Sequence, residues 1–511
     1  MIFIAPTFVA PLLCAAAILP GSGPVRPAAL PAGTQEGATA VLEAPATASG
    51  GGLEAALATI SEDEIRSDLY FIASDAMKGR DSPSPQLKVA ARYIRARLMR
   101  LGMTPGAKEG SFFWEWSYPQ KGLDLSKTFL KVAGPEGLSL DLALGSDYFM
   151  GMSAYGMRTA TGSALWGGEF SKDQVADLTG SDLEGKWVIG VNDRGLSTRR
   201  TRELEDAGAL GVIVIPGTKN KKPVAESYGR VAAKMAVTSL TGRRERGDST
   251  PFPVIHLTER VGKTIQAALP KDPKVAKGIG FSFDESCGRG RVDDAVMENV
   301  VGIWPGSDPK LKNEAIILSA HYDHVGHRPD GTVFNGADDN GSGTTGLLAI
   351  AEALKAYGPM RRTIVLMWVS AEEKGLLGSE AWCKDPYLPG DLKALCNINI
   401  DMIGRNAGNE LLITPTKVHE AYSALTKVAE ANAESEGFTK VGSADAYYQR
   451  SDQANFEKHM GLPVAFLFCD VHEDYHKPTD TPDKINYDKM RRICRLVVRM
   501  LEALQIDRPK F

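Results

Sequence analysis

The part of the chain after Asn299 alternates regularly between short apolar runs and longer segments with helical periodicity. The predicted strands are Ala315–Ser319, Thr363–Val369, Asn397–Ile400 and Val464–Phe468. The predicted helices are Gly343–Ala356, Val418–Ala433 and Lys489–Leu504. Because strands that alternate with helices form a sheet covered by those helices, this pattern predicts an α/β fold.

The region between residues 53 and 285 divides into two parts that differ in their predicted secondary structure. Residues 53–140 open with helical periodicity, and the helix expected over Gln86–Met99 ends at Gly102. Its apolar face consists of Leu87, Ala90, Ala91, Ile94 and Leu98. Residues 141–285 contain short strands and turns, with strands expected at Trp187–Val191, Gly211–Ile215 and Pro253–Leu257 and a helix at Thr201–Ala209. We therefore expect a small β-rich module inserted into the main domain, which resumes over residues 286–511.

The first 52 residues precede the predicted domains. Ile2–Leu19 is apolar and uncharged and is followed by small residues and proline, which is typical of a signal peptide over residues 1–20. A retained membrane anchor is the alternative, because roughly 18 apolar residues can just span a bilayer. Residues 21–52 are rich in Ala, Gly and Pro and predict a flexible linker. We expect a secreted or periplasmic protein, without stable membrane insertion once the signal is cleaved.

The net charge and the cysteine spacing indicate which partners and sites are not expected. The 511 residues carry a net charge of −4. This charge balance lacks the excess of basic residues typical of nucleic-acid-binding proteins, so nucleic acid is not an expected partner. The five cysteines beyond the leader lack CxxC spacing and are expected in the core: Cys287, Cys383, Cys396, Cys469 and Cys494. The sequence leaves the oligomeric state open.

Histidines and carboxylates cluster just after the predicted strands. Four of the eight histidines do so, at His321, His324, His472 and His476. The carboxylates are Asp338 and Asp339 before a helix, Glu372 and Glu373 after the second strand, and Asp401 at the end of the third. Because ligands of open α/β sheets bind at the carboxyl ends of the strands, we expect these side chains to meet.

This set of side chains suits a pair of divalent cations. Two histidines and three carboxylates can hold two cations if one carboxylate bridges them, and each cation keeps a position open for water. Two neighbouring metals activate that water and stabilise the oxygens of a transition state. A further carboxylate is needed as a base, and the pair Glu372 and Glu373 can supply one ligand and one base. Each motif alone is an ordinary loop or turn, so the indication of metal comes from their combination.

Five sequence blocks carry these residues in a fixed order and spacing. They are Ser319–Gly326, Asn335–Gly343, Ala371–Ser379, Asn399–Gly404 and Tyr475–Ile485. Together they resemble the M28 family of zinc peptidases, which includes bacterial aminopeptidases and glutamate carboxypeptidases. The resemblance covers about Val300–Leu504 and implies a mixed-sheet α/β/α sandwich of the zinc exopeptidase type that binds two Zn²⁺ per chain. The segment near Gly162–Leu257 is similar to the protease-associated domain that several members carry at this place.

The resemblance also implies the metal ligands. It gives one zinc to His321 and Asp401, the other to Glu373 and His476, and the bridge to Asp338. A cis peptide bond from Asp338 to Asp339 is expected as well.

Further residues receive roles from the same resemblance. Glu372 would be the general base, and Asp323 would hold the imidazole of His321. Asp480 would do similar work near His476. Tyr448 would offer a hydroxyl to the oxyanion, with the adjacent Tyr447 as the alternative.

The leading hypothesis is an aminopeptidase that acts on peptide substrates. The alternative is a carboxypeptidase or dipeptidase in which Arg405 holds the substrate carboxylate. A third class, a binding protein that has lost the chemistry, is disfavoured by the complete ligand set and Glu372. One departure from the family pattern is Ser451–Gln453, where many members have Ser-Asp-His; that histidine is not an expected zinc ligand.

Overall fold

The computed structural model describes residues 51–151, 154–192, 196–219, 222–236, 239–240, 252–328 and 330–506. The expected signal peptide and nearly all of the expected linker lie outside these residues. The helices are α1 (Gly52–Thr59), α2 (Glu62–Ile72), α3 (Pro85–Leu101), α4 (Lys172–Thr179), α5 (Thr198–Asp206), α6 (Val224–Ala236), α7 (Glu259–Ala267), α8 (Gly343–Tyr357), α9 (Leu377–Lys384), α10 (Ala424–Ala433), α11 (Gln453–Met460) and α12 (Tyr487–Ala503). Within the described residues no helix combines the length and apolar character needed to cross a membrane.

The strands form two sheets that share one long strand. They are β1 (Thr104–Pro105), β2 (Phe113–Leu123), β3 (Phe129–Ala133), β4 (Ser139–Leu142), β5 (Tyr148–Met150), β6 (Met157–Trp166), β7 (Trp187–Asn192), β8 (Gly211–Pro216), β9 (Ser239–Leu240), β10 (Val254–Leu257), β11 (Gly278–Trp304), β12 (Glu314–His321), β13 (Thr363–Val369), β14 (Lys393–Ile400), β15 (Glu410–Thr414), β16 (Lys440–Ser443) and β17 (Val464–Phe468). The first half of β11 belongs to one sheet and its second half to the other.

The main sheet has the order β9-β2-β11-β13-β12-β14-β17-β15-β16, and the two-residue β1 also pairs with the end of β11. Its four central strands, β13, β12, β14 and β17, run parallel to one another. All seven residues of β13 are buried, so both faces of the sheet are covered. Helices α1, α2, α3 and α12 pack around α8, whereas α9 packs against α11. The predicted α/β fold with a mixed sheet is confirmed.

The second sheet has the order β4-β3-β11-β6-β7-β8-β10-β5 and its own apolar core, which includes Trp187 and Phe283. It begins at Phe129, before the expected module boundary at Asp141. The strand at its other boundary runs on without interruption into the main sheet as β11. The sequence did not predict this 27-residue strand, since the polar stretch after Cys287 hides its alternation.

Most predicted elements of the main sheet are confirmed to within a few residues. Helix α3 buries the predicted apolar face and ends at Gly102, whose φ of 77° is left-handed. The helix expected over Val418–Ala433 starts later, at Ala424, because Ser423 accepts a hydrogen bond from the Leu425 N–H and so caps it there. The five cysteines of the described residues are buried, as expected, and they form no disulfide with one another.

Candidate metal centre

Three parallel strands bring their polar residues to one edge of the main sheet. His321 is the last residue of β12, and in the ladder it pairs with Val369 at the end of β13. Asp401 directly follows β14, whose Asn399 pairs with Ser319 of β12. Glu372 and Glu373 lie three and four residues after Val369. The register therefore sets these side chains side by side.

The first group of ligand atoms surrounds His321. Its Nε2 lies 3.3 Å from Oδ1 of Asp401 and 3.5 Å from Oδ1 of Asp339. The other oxygen of Asp401 accepts a hydrogen bond of 2.7 Å from Ser451 Oγ, which fixes that carboxylate. His321, Asp339 and Asp401 are all buried and close enough together to share one cation.

The second group uses the other oxygen of the same aspartate. Oδ2 of Asp339 lies 2.9 Å from Nε2 of His476, which is also 3.1 Å from Oε2 of Glu373. On the other side of Glu373, its Oε1 lies 2.9 Å from Nδ1 of His324. Asp339, Glu373 and His324 again form a group that can hold a cation. Asp339 therefore lies between two groups and offers one oxygen to each.

The expectation that Asp338 bridges the two metals is corrected by this geometry. Oδ1 of Asp338 accepts a hydrogen bond of 2.6 Å from the Gly404 N–H, and its Oδ2 faces His472 at 3.3 Å. The carboxylate thus ties down neighbouring loops, and Asp339 takes the expected position. The cis peptide bond is likewise one residue later, between Asp339 and Asn340.

Asp323 and Glu372 lie beside the first group. Nδ1 of His321 is 3.3 Å from the backbone oxygen of Asp323, a contact that leaves Nε2 free to face the carboxylates. The Asp323 carboxylate accepts hydrogen bonds from the Glu372 N–H at 3.1 Å and from Ser82 Oγ at 2.9 Å. Oε2 of Glu372 lies 3.9 Å from Nε2 of His321. Asp323 therefore positions both the histidine and the loop that carries Glu372.

Four carboxylates crowd into this buried place, and their pKa values respond to it. Burial raises the pKa of Glu372 well above its ordinary value, and the charges of Glu373 and Asp401 add to the effect. Burial also raises the pKa of Asp339, with Glu373 as the next cause. Burial alone would lower the pKa of His476, but contacts with Asp339 and Glu373 raise it to about 10. So much negative charge calls for cations.

The donor set fits zinc. Imidazole nitrogens and carboxylate oxygens are its usual ligands, at about 2.0–2.2 Å from the metal. Ligand atoms of a tetrahedral site are then roughly 3.3–3.6 Å apart, and the contacts within the two groups range from 2.9 to 3.5 Å. Among the described residues, Nε2 of His476 and Oε1 of Glu373 are buried without a hydrogen-bond partner, which suits atoms that bind a metal.

A cleft opens from this centre toward an apolar wall. Its polar side is formed by Asp339, Glu372 and Asp401, and its wall by aromatic and aliphatic side chains, namely Met402, Tyr447, Phe466, Phe468, Val471 and Tyr475. Tyr447, rather than Tyr448, lines the cleft. The ring of Tyr448 is buried against His419, at 4.2 Å between ring centroids. The geometry therefore does not favour Tyr448 as the oxyanion donor.

Two further residues have contacts that differ from their expected roles. Nη2 of Arg405 lies 2.8 Å from Oδ2 of Asp474, so the guanidinium is paired within the protein. Asp480 accepts hydrogen bonds from the backbone N–H groups of Asp338 and Asp339, at 3.0 and 3.2 Å. It holds the loop that carries Asp339, not His476.

Sequence reasoning missed Arg80, a fully buried side chain beneath the site. Its guanidinium donates to four backbone oxygens, those of Ile72, Tyr322, Asn335 and Gly336, at 2.7–3.0 Å. Gly79 allows this approach, because a Cβ there would lie 2.2 Å from the Gly326 oxygen. Arg80 thus fastens both ends of the loop between His321 and Asp339. In the sequence, Gly79 and Arg80 stand out only as part of Asp75–Gly102, which resembles the usual lead-in helix of the M28 family, and that resemblance gives Arg80 no role.

Comparison with known proteins relates the chain to peptidases. Residues 299–501 match the sequence profile described as Peptidase family M28. A probable leucine aminopeptidase of Arthroderma otae is 29% identical over 227 residues, which are 41% of this chain and 60% of that protein. Aminopeptidase YwaD of Bacillus subtilis is 32% identical over 341 residues, 64% of this chain and 63% of that one. The chain thus spans about 60% of the length of these relatives.

A solved structure shows the same fold. The structure of BSAP, a zinc aminopeptidase from Bacillus subtilis, superposes with a TM-score of 0.50 at 19% identity. The match covers 87% of this chain and 95% of that one.

Proposed function

Because residues 299–501 form a peptidase family M28 domain, we propose that this chain is a two-zinc aminopeptidase that releases N-terminal residues from peptides. The observation that carries the proposal is Asp339, which presents one oxygen to His321 at 3.5 Å and the other to His476 at 2.9 Å. A single carboxylate between two sets of ligands is the arrangement that a pair of metals needs.

The ligands divide between two positions. His321, Asp339 and Asp401 would hold the first zinc, and Asp339, Glu373 and His476 the second. Zinc ions bound there supply Lewis-acid polarisation of the scissile carbonyl and a water of lowered pKa. Asp323 and Ser451 keep His321 and Asp401 oriented from outside.

Glu372 is proposed as the general base. It lines the cleft beside the first position, and its backbone is held by the Asp323 carboxylate. Its raised pKa suits a group that takes a proton from water and passes it to the leaving amine. The carboxylates of Glu372 and Asp401 also give the cleft a negative end that can receive the free amine of a substrate.

The contacts of Arg405 support this choice of substrate end. Arg405, the residue expected to bind the substrate carboxylate of a carboxypeptidase, is paired with Asp474. The arginine that lines the cleft, Arg450, lies over the ring of Tyr447, 5.2 Å from its centroid. The relatives named above are called aminopeptidases. The apolar wall at Phe466 and Phe468 favours substrates whose N-terminal side chain is large and apolar.

Two proposals concern the rest of the chain. We propose that the second sheet is a protease-associated domain that limits access to the cleft; its separate core supports this. Replacing the module with a short linker, with substrate preference unchanged, would count against that role. We also propose that residues 1–20 direct export, on the sequence pattern alone. N-terminal sequencing of the mature protein tests this, and an intact Met1 would contradict it.

Metal analysis tests the proposed centre. Protein purified without chelator should contain close to two zinc ions per chain by elemental analysis. Treatment with a chelator should abolish aminopeptidase activity, and added zinc should restore it. A zinc content of one or none in active protein would contradict the shared-carboxylate centre.

A further inference from the structure

His324 is a buried histidine near the proposed centre that has no role in the function proposed above. It lies three residues after His321, and its side chain is completely buried. Its Nδ1 points between two carboxylates, 2.9 Å from Oε1 of Glu373 and 3.8 Å from Oδ2 of Asp339. Its ring meets that of His476 edge to face, with 5.6 Å between centroids. Both histidines therefore face the same two carboxylates.

The polar atoms of His324 lack hydrogen-bond partners. Among the described residues, neither ring nitrogen of His324 makes a hydrogen bond, and neither does Oε1 of Glu373. The two atoms, Nδ1 of His324 and Oε1 of Glu373, lie 2.9 Å apart, within ion-pair distance. Burying an imidazole without a hydrogen-bond partner costs free energy, because the ring nitrogens lose water and gain no replacement. Among the described residues, the facing atoms of His472 and Asp338 also lack hydrogen-bond partners, but only His324 and Glu373 belong with Asp339 to a group that can hold a cation. A metal at that group would contact both unpartnered atoms.

We infer that His324 is a ligand of the second zinc, which is then held by four side chains: His324, Asp339, Glu373 and His476. The inference rests on the two-zinc centre proposed above. The orientation of Asp339 supports it, because Oδ2 faces His324 and His476 while Oδ1 faces His321. The first zinc would keep only three protein ligands, His321, Asp339 and Asp401.

The two positions then have different chemistry. Four protein ligands close a tetrahedral zinc site, as in structural sites, whereas three leave a place for water or substrate. The open place lies at the first position, next to Glu372, which is 3.9 Å from His321. The second zinc should therefore bind more tightly and mainly fix the geometry, and the first should be the one lost first to a chelator.

A ligand can be distinguished from a residue that only orients Glu373. Outer partners of metal ligands change metal affinity by about 10–100-fold when replaced. His324→Gln keeps a polar side chain but removes the imidazole, so the tighter site should weaken by more than about 100-fold. The weaker site should change little. His472→Gln is the matched control, because His472 is a buried histidine that faces Asp338, outside both groups.

The experiment is chelator competition with zinc on the full chain, with circular dichroism as a check on folding. Weakening of the tighter site within the 10–100-fold range, or none, in His324→Gln would overturn the inference. So would equal weakening in His472→Gln. If wild-type protein binds two zinc ions and only the His324 result fails, the proposed function stands and this inference alone is lost.

A second measurement needs no variant. X-ray absorption of the wild-type protein loaded with one equivalent of zinc counts the imidazoles on the tighter site. Two imidazoles are expected, from His324 and His476. One imidazole would overturn the inference, and failure to bind zinc would overturn the proposed centre along with it.

Discussion

Oδ2 of Asp339 lies 2.9 Å from Nε2 of His476, a contact that joins the loop before α8 to the loop after β17. The two segments are far apart in sequence, and the sheet order places them at the same edge. Since Oδ1 of Asp339 faces His321, this one carboxylate links the two groups of ligand atoms. Its neighbour Asp338 is equally buried but contacts other groups.

Replacing the two aspartates separately tests which of them binds metal. Asp339→Asn removes the charge shared by both positions, so zinc content should fall from two toward zero and activity with it. Asp338→Asn keeps size and one acceptor and should retain two zinc ions. Elemental analysis of both purified variants provides the measurement. Zinc loss in Asp338→Asn with zinc retained in Asp339→Asn would reverse the assignment.

Replacing Glu372 and Glu373 separately should affect zinc content differently. Glu372→Gln cannot accept a proton, so turnover should fall by roughly 10²–10⁴-fold with both zinc ions still bound. Glu373→Gln removes an anionic ligand, and the second zinc should be weakened or lost. Turnover rates and zinc contents of both variants show which glutamate is the base and which is the ligand. Since the residues are neighbours, general damage to the loop would give both variants the same metal content, which would contradict the separate roles.

His256 should make the stability of the protein depend on pH. It is buried in β10 with its ring stacked on Tyr228, and burial lowers its pKa from 6.5 to about 4. The folded state therefore disfavours the protonated form. The stabilisation is complete above pH 6.5 and is lost as the pH falls toward 4, by about 3 kcal/mol in total.

Urea unfolding of His256→Phe at pH 7 and pH 4.5 measures this contribution. The loss of unfolding free energy on acidification should be smaller in the variant than in wild type by about 2–3 kcal/mol. Substitution of the exposed His327 by Gln is the control and should keep the wild-type loss. Equal losses in wild type and His256→Phe would show that His256 is not the cause.

Arg80 should be important for stability. Arg80→Met removes a donor from four buried backbone oxygens, although that of Gly336 keeps the Gly341 N–H, and the cost is about 3 kcal/mol in the free energy of unfolding. Arg100→Met removes an exposed guanidinium paired with Glu352 and should cost about 1 kcal/mol at most. Chemical denaturation of both variants tests the difference, and similar losses would show that Arg80 has no special role.

The main sheet was predictable because its central strands carry simple signals. Thr363–Val369 is apolar throughout, as a strand buried on both faces must be, and its predicted bounds are those observed. The second sheet shows a weaker pattern. Strand β11 passes from the second sheet to the main sheet after Gly288 and then contains Asp293 and Asp294 at a bulge. The bulge breaks the alternation of the strand, so periodicity alone could not reveal it.

The sequence predicted where the site lies in the fold, but not which of two neighbouring residues contributes to it. Strand ends indicated that histidines and carboxylates meet, since parallel strands share an edge. The choice between Asp338 and Asp339 depends on the backbone path through Ala337–Ser342, which no local pattern encodes. In the same way, Tyr447 and Tyr448 have the same side chain, and only the packing of Tyr448 on His419 separates them.

The most direct test of the proposed activity compares which end of a peptide is consumed. Zinc-loaded protein is incubated with a leucine-initiated peptide in three forms: unblocked, N-terminally acetylated and C-terminally amidated. Products are followed by mass spectrometry. We expect release of the N-terminal leucine from the unblocked and amidated peptides and almost none from the acetylated one. Loss of residues from the C-terminus, with the acetylated peptide cleaved and the amidated one resistant, would contradict the aminopeptidase assignment.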